Sequence, residues 1–284
     1  MSRQFKDLNL NNAFLFAALA NDPEACQLLL KLILGRDIPK VNVKTEHNIL
    51  LNSDTKCVRL DVNARSEYEV NYNVEAQNSN EHNIVRRSRF YQAQLDVAEL
   101  KPGDDYNKLP ESFVIFICTF DPFGRGLYQY TFIEKCVEDG VPLGDGTCKI
   151  FFSTVGENKE EVQKDLIEFL GYYENSTDEY VNRVNNPLIT KLHEKMVMLK
   201  KSREWEEGYM KFEELLLRQR RDGHSEGLCR GVSNSIITVL SKKGEVTNYI
   251  KEKLEAETDV EVLNSWLNKA IEATTIEEFA KVIN

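Results

Sequence analysis

The sequence predicts an α/β protein in which a mixed central sheet is flanked by helices and followed by a helical carboxy-terminal part. Two segments, 58–64 and 71–77, alternate apolar and polar residues with the period of strands that bury one face. The evenly apolar segment 113–120 is typical of a central strand that is covered on both faces. After Lys159 the apolar residues recur at helical spacing. All predicted strands therefore lie in the first part of the chain.

The remaining elements follow from caps, turns and periodicity. Asp22 can cap a helix whose end is marked by Gly35, and a break is expected near Pro187. The predicted elements are, in chain order, two helices within 11–34, strands within 41–64 and 71–77, a helix over 84–100, strands at 113–120, 127–133 and 149–155, and helices over 159–174 and 178–221.

Length and composition fit a folded chain of one or two globular domains. The 284 residues are 42% hydrophobic and 29% charged, values typical of a protein with a real core. The changes of pattern divide the chain into a core over 1–157, a helical extension over 158–222 and a small helical module over 223–284. No apolar run approaches the roughly 20 residues that cross a bilayer, and no basic segment followed by an apolar one opens the chain. We therefore expect a cytoplasmic protein without membrane contact.

Charge and residue types exclude some classes of function. The net charge of −10 argues against a uniformly basic nucleic-acid binder. The same net charge is compatible with an enzyme that binds nucleic acid through a local basic patch and a metal ion. Six cysteines and four histidines are dispersed without a C-x-x-C pair, so a zinc site is not indicated. Buried thiols explain the cysteines better.

Two acidic residues occupy the polar faces of consecutive predicted strands. If these strands form a hairpin centred on Tyr68, Asp61 lies directly opposite Glu75, with Cβ atoms roughly 4.5–5.5 Å apart. Facing carboxylates repel each other, and a divalent cation with hard oxygen ligands neutralises them. Gln77, on the same face, can position a water beside that cation. The alternative is two acids on the solvent side of a hairpin, each paired with an arginine such as Arg59.

An acidic residue on one strand and an E-x-Q on the next resemble the PD-(D/E)XK nuclease superfamily, in which an E-x-K is usual. The neighbouring segments make this resemblance more specific. Taken in chain order over about 100 residues, they resemble the recombination-promoting nuclease and transposase family. The segments are "RLDVNA", "YNVEAQ", "RRSRFYQAQLD", "GDDYNKLPESFVIFICTFDPFG", "YTFIEKCVED" and "LGDGTCKIFF".

The resemblance implies a restriction-endonuclease-like fold and a DNA endonuclease that uses Mg²⁺ or Mn²⁺. It implies Asp61, Glu75 and Gln77 as the catalytic residues. The metal ligands would be Asp61, Glu75 and the backbone carbonyl of Ala76. Gln77 stands where many superfamily nucleases have lysine, although this family commonly has glutamine. Because a neutral amide supplies neither positive charge nor a proton shuttle, more of the catalysis falls on the metal. Asn12 stands where the family has an aspartate, which predicts weaker cation binding.

The helix after the E-x-Q strand carries the predicted DNA contacts. Its spacing brings Arg87, Tyr91 and Gln94 toward the site. Arg86 and Arg89 complete the densest basic cluster of the predicted core. In the functional interpretation Arg87 contacts a phosphate, and the other two arginines hold the DNA backbone. The alternative is a solvated helix face.

Two functions of different classes fit these residues. The first is a metal-dependent DNA endonuclease, which the resemblance alone links to recombination or mobile elements. The second is a catalytically weak or inactive protein of the same fold that binds DNA or protein. Asn12, Gln77 and the negative net charge favour the second. A homodimer that presents two sites to both DNA strands is a further alternative, in which the carboxy-terminal helices self-associate.

Overall fold

Residues 4–44, 62–67 and 70–283 are described by the computed structural model, and their strands form one six-stranded mixed sheet. The strands are β1 (Val41–Lys44), β2 (Val62–Ser66), β3 (Asn71–Gln77), β4 (Ser112–Cys118), β5 (Gln129–Phe132) and β6 (Thr147–Ser153). Their order across the sheet is β1-β2-β3-β4-β6-β5. The first three are antiparallel neighbours, β3, β4 and β6 run parallel, and β5 returns antiparallel to β6. The predicted mixed sheet is confirmed.

The predicted central strand lies inside the sheet, between β3 and β6. Ile115 and Ile117 on one face of β4, and Phe116 and Cys118 on the other, are all inaccessible to solvent. A strand that is covered on both faces needs apolar residues at every position, which explains why 113–120 shows no alternation.

Helices flank the sheet and continue after it. They are α1 (Ala13–Ala20), α2 (Pro23–Leu34), α3 (Ile84–Glu99), α4 (Lys164–Glu174), α5 (Asp178–Val184), α6 (Pro187–Lys200), α7 (Arg203–Ser241), α8 (Asn248–Ala256), α9 (Val260–Glu272) and α10 (Ile276–Ala280). As predicted, Asp22 caps α2, Gly35 ends it with a φ of +62°, and a break precedes Pro187. The helical segment is also interrupted at 201–202, between α6 and α7, which the sequence analysis does not predict.

The chain divides into two compact units, Met1–Met210 and Lys211–Asn284. The first unit contains the sheet. The second has an apolar core of its own, which includes the fully buried Ile236, Leu240 and Leu263. None of the helices in the described part of the chain combines the length and hydropathy needed to cross a lipid bilayer.

Candidate metal centre

The β2–β3 hairpin positions the candidate site. Val62 pairs with Val74 and Asn63 pairs with Asn73, which is the register that the sequence predicts. Asp61, the other half of the predicted acidic pair, lies outside the described residues. Its place opposite Glu75 therefore stays a prediction.

The polar face of β3 is buried. Glu75 is 7% exposed and Gln77 is 8% exposed, although they alternate with apolar residues as in a strand with one wet face. Glu75 therefore does not lie on the solvent side of the hairpin, although it is paired with an arginine as that alternative expects. A buried carboxylate is costly unless a cation or hydrogen-bond donors accompany it, so the surroundings of Glu75 decide what this site can do.

Arg87 of α3 is the cation that accompanies Glu75. Its guanidinium forms an ion pair with Glu75 Oε1. It also donates hydrogen bonds to Gln77 Oε1 at 2.9 Å and to the Tyr91 hydroxyl at 3.1 Å. The rings of Tyr91 and Phe116 lie against it, with centroids 5.6 Å and 5.9 Å from Cζ. The structure thus brings Arg87 and Tyr91 to Glu75 and Gln77, and their contacts to DNA stay predictions.

The other predicted DNA contacts lie on the outer side of α3. Arg86, Arg89 and Gln94 are exposed, whereas Arg87 keeps a quarter of its side-chain surface accessible. The basic cluster therefore divides into one half-buried arginine at the carboxylate and two arginines at the surface.

Gln77 is oriented by both ends of its amide. Its Oε1 accepts from Arg87, and its Nε2 donates to the carbonyl of Ser79 at 2.9 Å. Because an amide oxygen has two lone pairs and an amide nitrogen has two hydrogens, the oxygen can still accept from a water and the nitrogen can still donate to a water or a phosphate.

One oxygen of Glu75 remains for a cation. Glu75 Oε2 is buried and has no hydrogen-bond partner among the described residues. Divalent cations prefer carboxylate oxygens, so this orphaned atom fits a metal ligand. Within the described ranges no three His, Cys, Asp or Glu side chains cluster to hold a metal. Further ligands must therefore be backbone, amide or water oxygens, or residues beyond those ranges, as is predicted for Asp61.

The start of α1 lies beside the end of β3. Asn12 caps α1 by accepting a hydrogen bond from the backbone N–H of Leu15 at 3.1 Å. The preceding Asn11 accepts a hydrogen bond through its carbonyl from Asn78, which follows Gln77. An acidic side chain in place of Asn12 would thus sit near the residues that follow the E-x-Q.

The loop after β4 adjoins the same edge of the sheet, and Asp121 in it is not among the predicted site residues. Cys118, at the end of β4, pairs with Gln77, and Asp121 follows in the loop. Asp121 accepts hydrogen bonds from the Tyr130 hydroxyl and the Gly126 N–H, both at 2.7 Å. Burial opposes ionisation of Asp121, but these hydrogen bonds outweigh it and lower its pKa. The D-P-F-G turn was the available signal for this loop.

Cys118 lies beside Gln77 in the sheet but is not a candidate nucleophile. Burial raises the pKa of its thiol to about 12, although the charge of Arg87 acts in the opposite direction. The thiol therefore stays protonated at neutral pH and is a poor nucleophile. The interpretation of the cysteines as buried thiols holds for Cys26, Cys118 and Cys229, whereas Cys136 and Cys148 are partly exposed.

Comparison with known families identifies the family of the chain. The family model described as PD-(D/E)XK nuclease family transposase matches residues 13–219. The chain belongs to this family. No curated protein matches the chain, and no solved structure matches it.

Membership of the PD-(D/E)XK nuclease family agrees with the mixed sheet and its flanking helices. It indicates a nuclease-like role, that is, a hydrolase acting on phosphodiester bonds. PD-(D/E)XK nucleases generally use divalent metal ions. Among the described residues, Glu75 Oε2 is a buried oxygen without a hydrogen-bond partner that suits such an ion as a ligand. The matched range includes the hairpin, α3 and the loop after β4, and it ends within α7.

Proposed function

We propose that this chain is a metal-dependent DNA endonuclease that hydrolyses backbone phosphodiesters. The observation that carries the proposal is the buried carboxylate of Glu75, with one oxygen on Arg87 and the other without a partner among the described residues. A purely structural ion pair would have no need of an orphaned second oxygen, because such an atom costs free energy when it is buried dry.

Three oxygen donors would hold the cation. They are the carboxylates of Asp61 and Glu75 and the backbone carbonyl of Ala76, with Mg²⁺ or Mn²⁺ as the metal. When it is bound, the cation lowers the pKa of a coordinated water and offsets negative charge on the phosphate.

Gln77 orients the attacking water. The lone pair of Oε1 that Arg87 leaves open accepts a hydrogen from that water, and Ser79 keeps the amide from rotating. An amide does not take up the proton, so Gln77 contributes orientation and no general-base catalysis. This predicts slower cleavage than in nucleases with lysine at this position.

Arg87 supplies the positive charge that Gln77 lacks. A guanidinium can stabilise charge on the phosphate through its hydrogen-bond donors, but it does not serve as a proton shuttle. With a cation held at Glu75, Arg87 would no longer be the only positive partner of that carboxylate among the described contacts, and its hydrogen-bond donors could turn to DNA. Arg86 and Arg89, at the surface of α3, would hold the DNA backbone nearby.

The second candidate is an inactive protein of the same fold that binds DNA or protein. Two observations favour it: Asn12 is occupied as a helix cap, and Glu75 already has a cationic partner. A role with mobile elements is an extension of the first candidate that the word transposase in the family description suggests. A role in recombination, and a homodimer with two sites formed through the carboxy-terminal helices, are further extensions that come from the sequence analysis.

Cleavage of supercoiled plasmid separates the two candidates. The purified chain is incubated with Mg²⁺ and then with Mn²⁺, beside Glu75→Gln, which keeps the volume of the side chain and removes its charge. We expect nicked and linear products from the unmodified chain and a loss of at least about 100-fold in Glu75→Gln. Equal inactivity of both proteins with both metals would overturn the endonuclease proposal in favour of the binding protein.

A further inference from the structure

We propose that Asn73 is a positioning residue of the metal centre, and that its side-chain oxygen accepts a hydrogen bond from a water bound to the cation at Glu75. The inference rests on the proposed function, because it requires a cation at Glu75. It assigns a role to a residue that neither the sequence analysis nor the family comparison singles out.

Asn73 lies on the same face of β3 as Glu75. Residues two apart on a strand point to the same side, so the two side chains are neighbours along the strand. Asn73 is 3% exposed and Glu75 is 7% exposed. Both therefore face one buried polar layer.

One end of the Asn73 amide is engaged by its neighbour on β2. Its Nδ2 donates to Asn63 Oδ1 at 3.0 Å, and the two residues are direct partners in the β2–β3 register. With the nitrogen engaged, the oxygen is the end of the amide left for another group. Asn73 Oδ1 is buried and has no hydrogen-bond partner in the part of the chain that the structure describes.

Three buried oxygens of this kind occur on β3 and α3. Besides Asn73 Oδ1 and Glu75 Oε2, the third is Gln92 Oε1. Gln92 Nε2 is already engaged, since it donates to Ser112 Oγ at 2.6 Å and to Asp96 Oδ1 at 3.1 Å. All three atoms are hydrogen-bond acceptors, so each needs a hydrogen-bond donor or a cation beside it.

For Asn73 and Glu75, which are neighbours on β3, a hydrated cation meets this requirement. The oxygen of a metal-bound water is turned toward the cation, so both of its hydrogens point away toward acceptors. Groups that hold such waters fix the geometry of the centre without touching the metal, and their loss typically weakens metal binding by about 10–100-fold. Glu75 Oε2 then binds the cation directly, and Asn73 Oδ1 holds one of its waters.

The competing role for Asn73 is structural, since the Asn63 contact joins β2 to β3. Asn63→Ala separates the two roles, because it removes that contact and leaves Asn73 Oδ1 in place. Asn73→Ala removes both. Compared with Asn73→Ala, Asn73→Asp keeps an oxygen acceptor at this position and adds a negative charge. Like Asn73→Ala, it lacks the side-chain N–H that donates to Asn63.

Titration calorimetry with Mn²⁺ on the full chain provides the test. We expect Asn73→Ala to weaken Mn²⁺ binding about 10-fold, Asn63→Ala to change it less than about 2-fold, and Asn73→Asp to bind at least as tightly as the unmodified chain. Thermal unfolding in chelator verifies that each variant folds. If Asn73→Ala does not fold, the comparison of Asn73→Asp with Asn63→Ala decides.

Two results would overturn the proposal, and they are distinguishable. If the unmodified chain binds Mn²⁺, Glu75→Gln abolishes binding and Asn73→Ala binds as the unmodified chain does, the metal centre stands and the role of Asn73 is wrong. If the unmodified chain does not bind Mn²⁺, the metal premise fails, and the proposed function fails with it.

Discussion

Arg87 on α3 forms an ion pair with Glu75 on β3 and donates a second hydrogen bond to Gln77, so one guanidinium joins both side chains of the E-x-Q. The pair places a permanent positive charge at the position where a divalent cation would also be attracted. Metal binding and the Arg87 contact are therefore energetically linked, and this linkage can be measured.

Replacing Arg87 should lower the stability of the chain, and bound metal should reduce this loss. Arg87→Met keeps much of the side-chain volume but leaves Glu75 buried without a cation. Breaking such a pair costs several kcal/mol, and we expect a loss of about 2–4 kcal/mol in the free energy of unfolding, measured by urea denaturation in chelator. Saturating Mn²⁺ should reduce the difference, because the metal replaces the missing charge.

Arg86→Met is the matched control for this measurement, since Arg86 is an exposed neighbour on the same helix. It should change stability by no more than about 0.5 kcal/mol. The linkage would be refuted if Arg87→Met remained equally destabilised with and without Mn²⁺ while the unmodified chain bound the metal.

Gln77→Ala should separate cleavage from metal binding. Gln77 is assigned to the water and not to the cation, so Mn²⁺ affinity should stay within about 3-fold, whereas the cleavage rate should fall about 10–100-fold. Single-turnover cleavage of a labelled duplex and Mn²⁺ titration on the same preparation provide both values. Unchanged cleavage in Gln77→Ala would remove Gln77 from the mechanism.

Asn12→Asp should strengthen cation binding without harm to the fold. Aspartate caps helices about as well as asparagine, and its charge interacts favourably with the start of α1. We expect unchanged or slightly increased stability and a Mn²⁺ affinity that rises several-fold. Asn11→Asp, one residue earlier, is the positional control. Equal affinity in Asn12→Asp and the unmodified chain would show that Asn12 is too far from the metal to matter.

The loop after β4 should show a dependence on pH. The lowered pKa of Asp121 means that its contribution to stability is present above the pKa of an unfolded aspartate, about 3.9. That contribution is lost as pH falls through the lower pKa of the folded state. Asp121→Asn should therefore be less stable by about 1–2 kcal/mol at pH 7, and the deficit should shrink in acid.

Tyr130→Phe controls for this interpretation, because it removes the hydroxyl that donates to Asp121. The effects of Asp121→Asn and Tyr130→Phe on unfolding should be less than additive in the double variant. A deficit of Asp121→Asn that is independent of pH between 7 and 3 would contradict the assigned role of the carboxylate.

The sequence was informative where local periodicity decides the structure. The alternation of β2 and β3 predicts the Val62–Val74 register, and the uniform apolar character of β4 predicts its central place. Periodicity also puts Asn73, Glu75 and Gln77 on one face. It does not reveal what covers that face, because burial of β3 depends on how α3 packs across the sheet.

The site shows the same division between local and long-range information. Helical spacing brings Arg87 and Tyr91 to one side of α3, but only tertiary packing determines that Arg87 turns toward Glu75 while Arg86 and Arg89 stay at the surface. The orphaned oxygens of Asn73 and Glu75 have no signature in the sequence, since they depend on which donors the fold leaves nearby.

The most direct test of the metal centre is an anomalous difference map from crystals soaked in Mn²⁺. We expect a peak at bonding distance from Glu75 Oε2, with the Glu75–Arg87 contact lengthened. Absence of a peak at Glu75 under saturating Mn²⁺, with the contact unchanged, would contradict a cation site at Glu75.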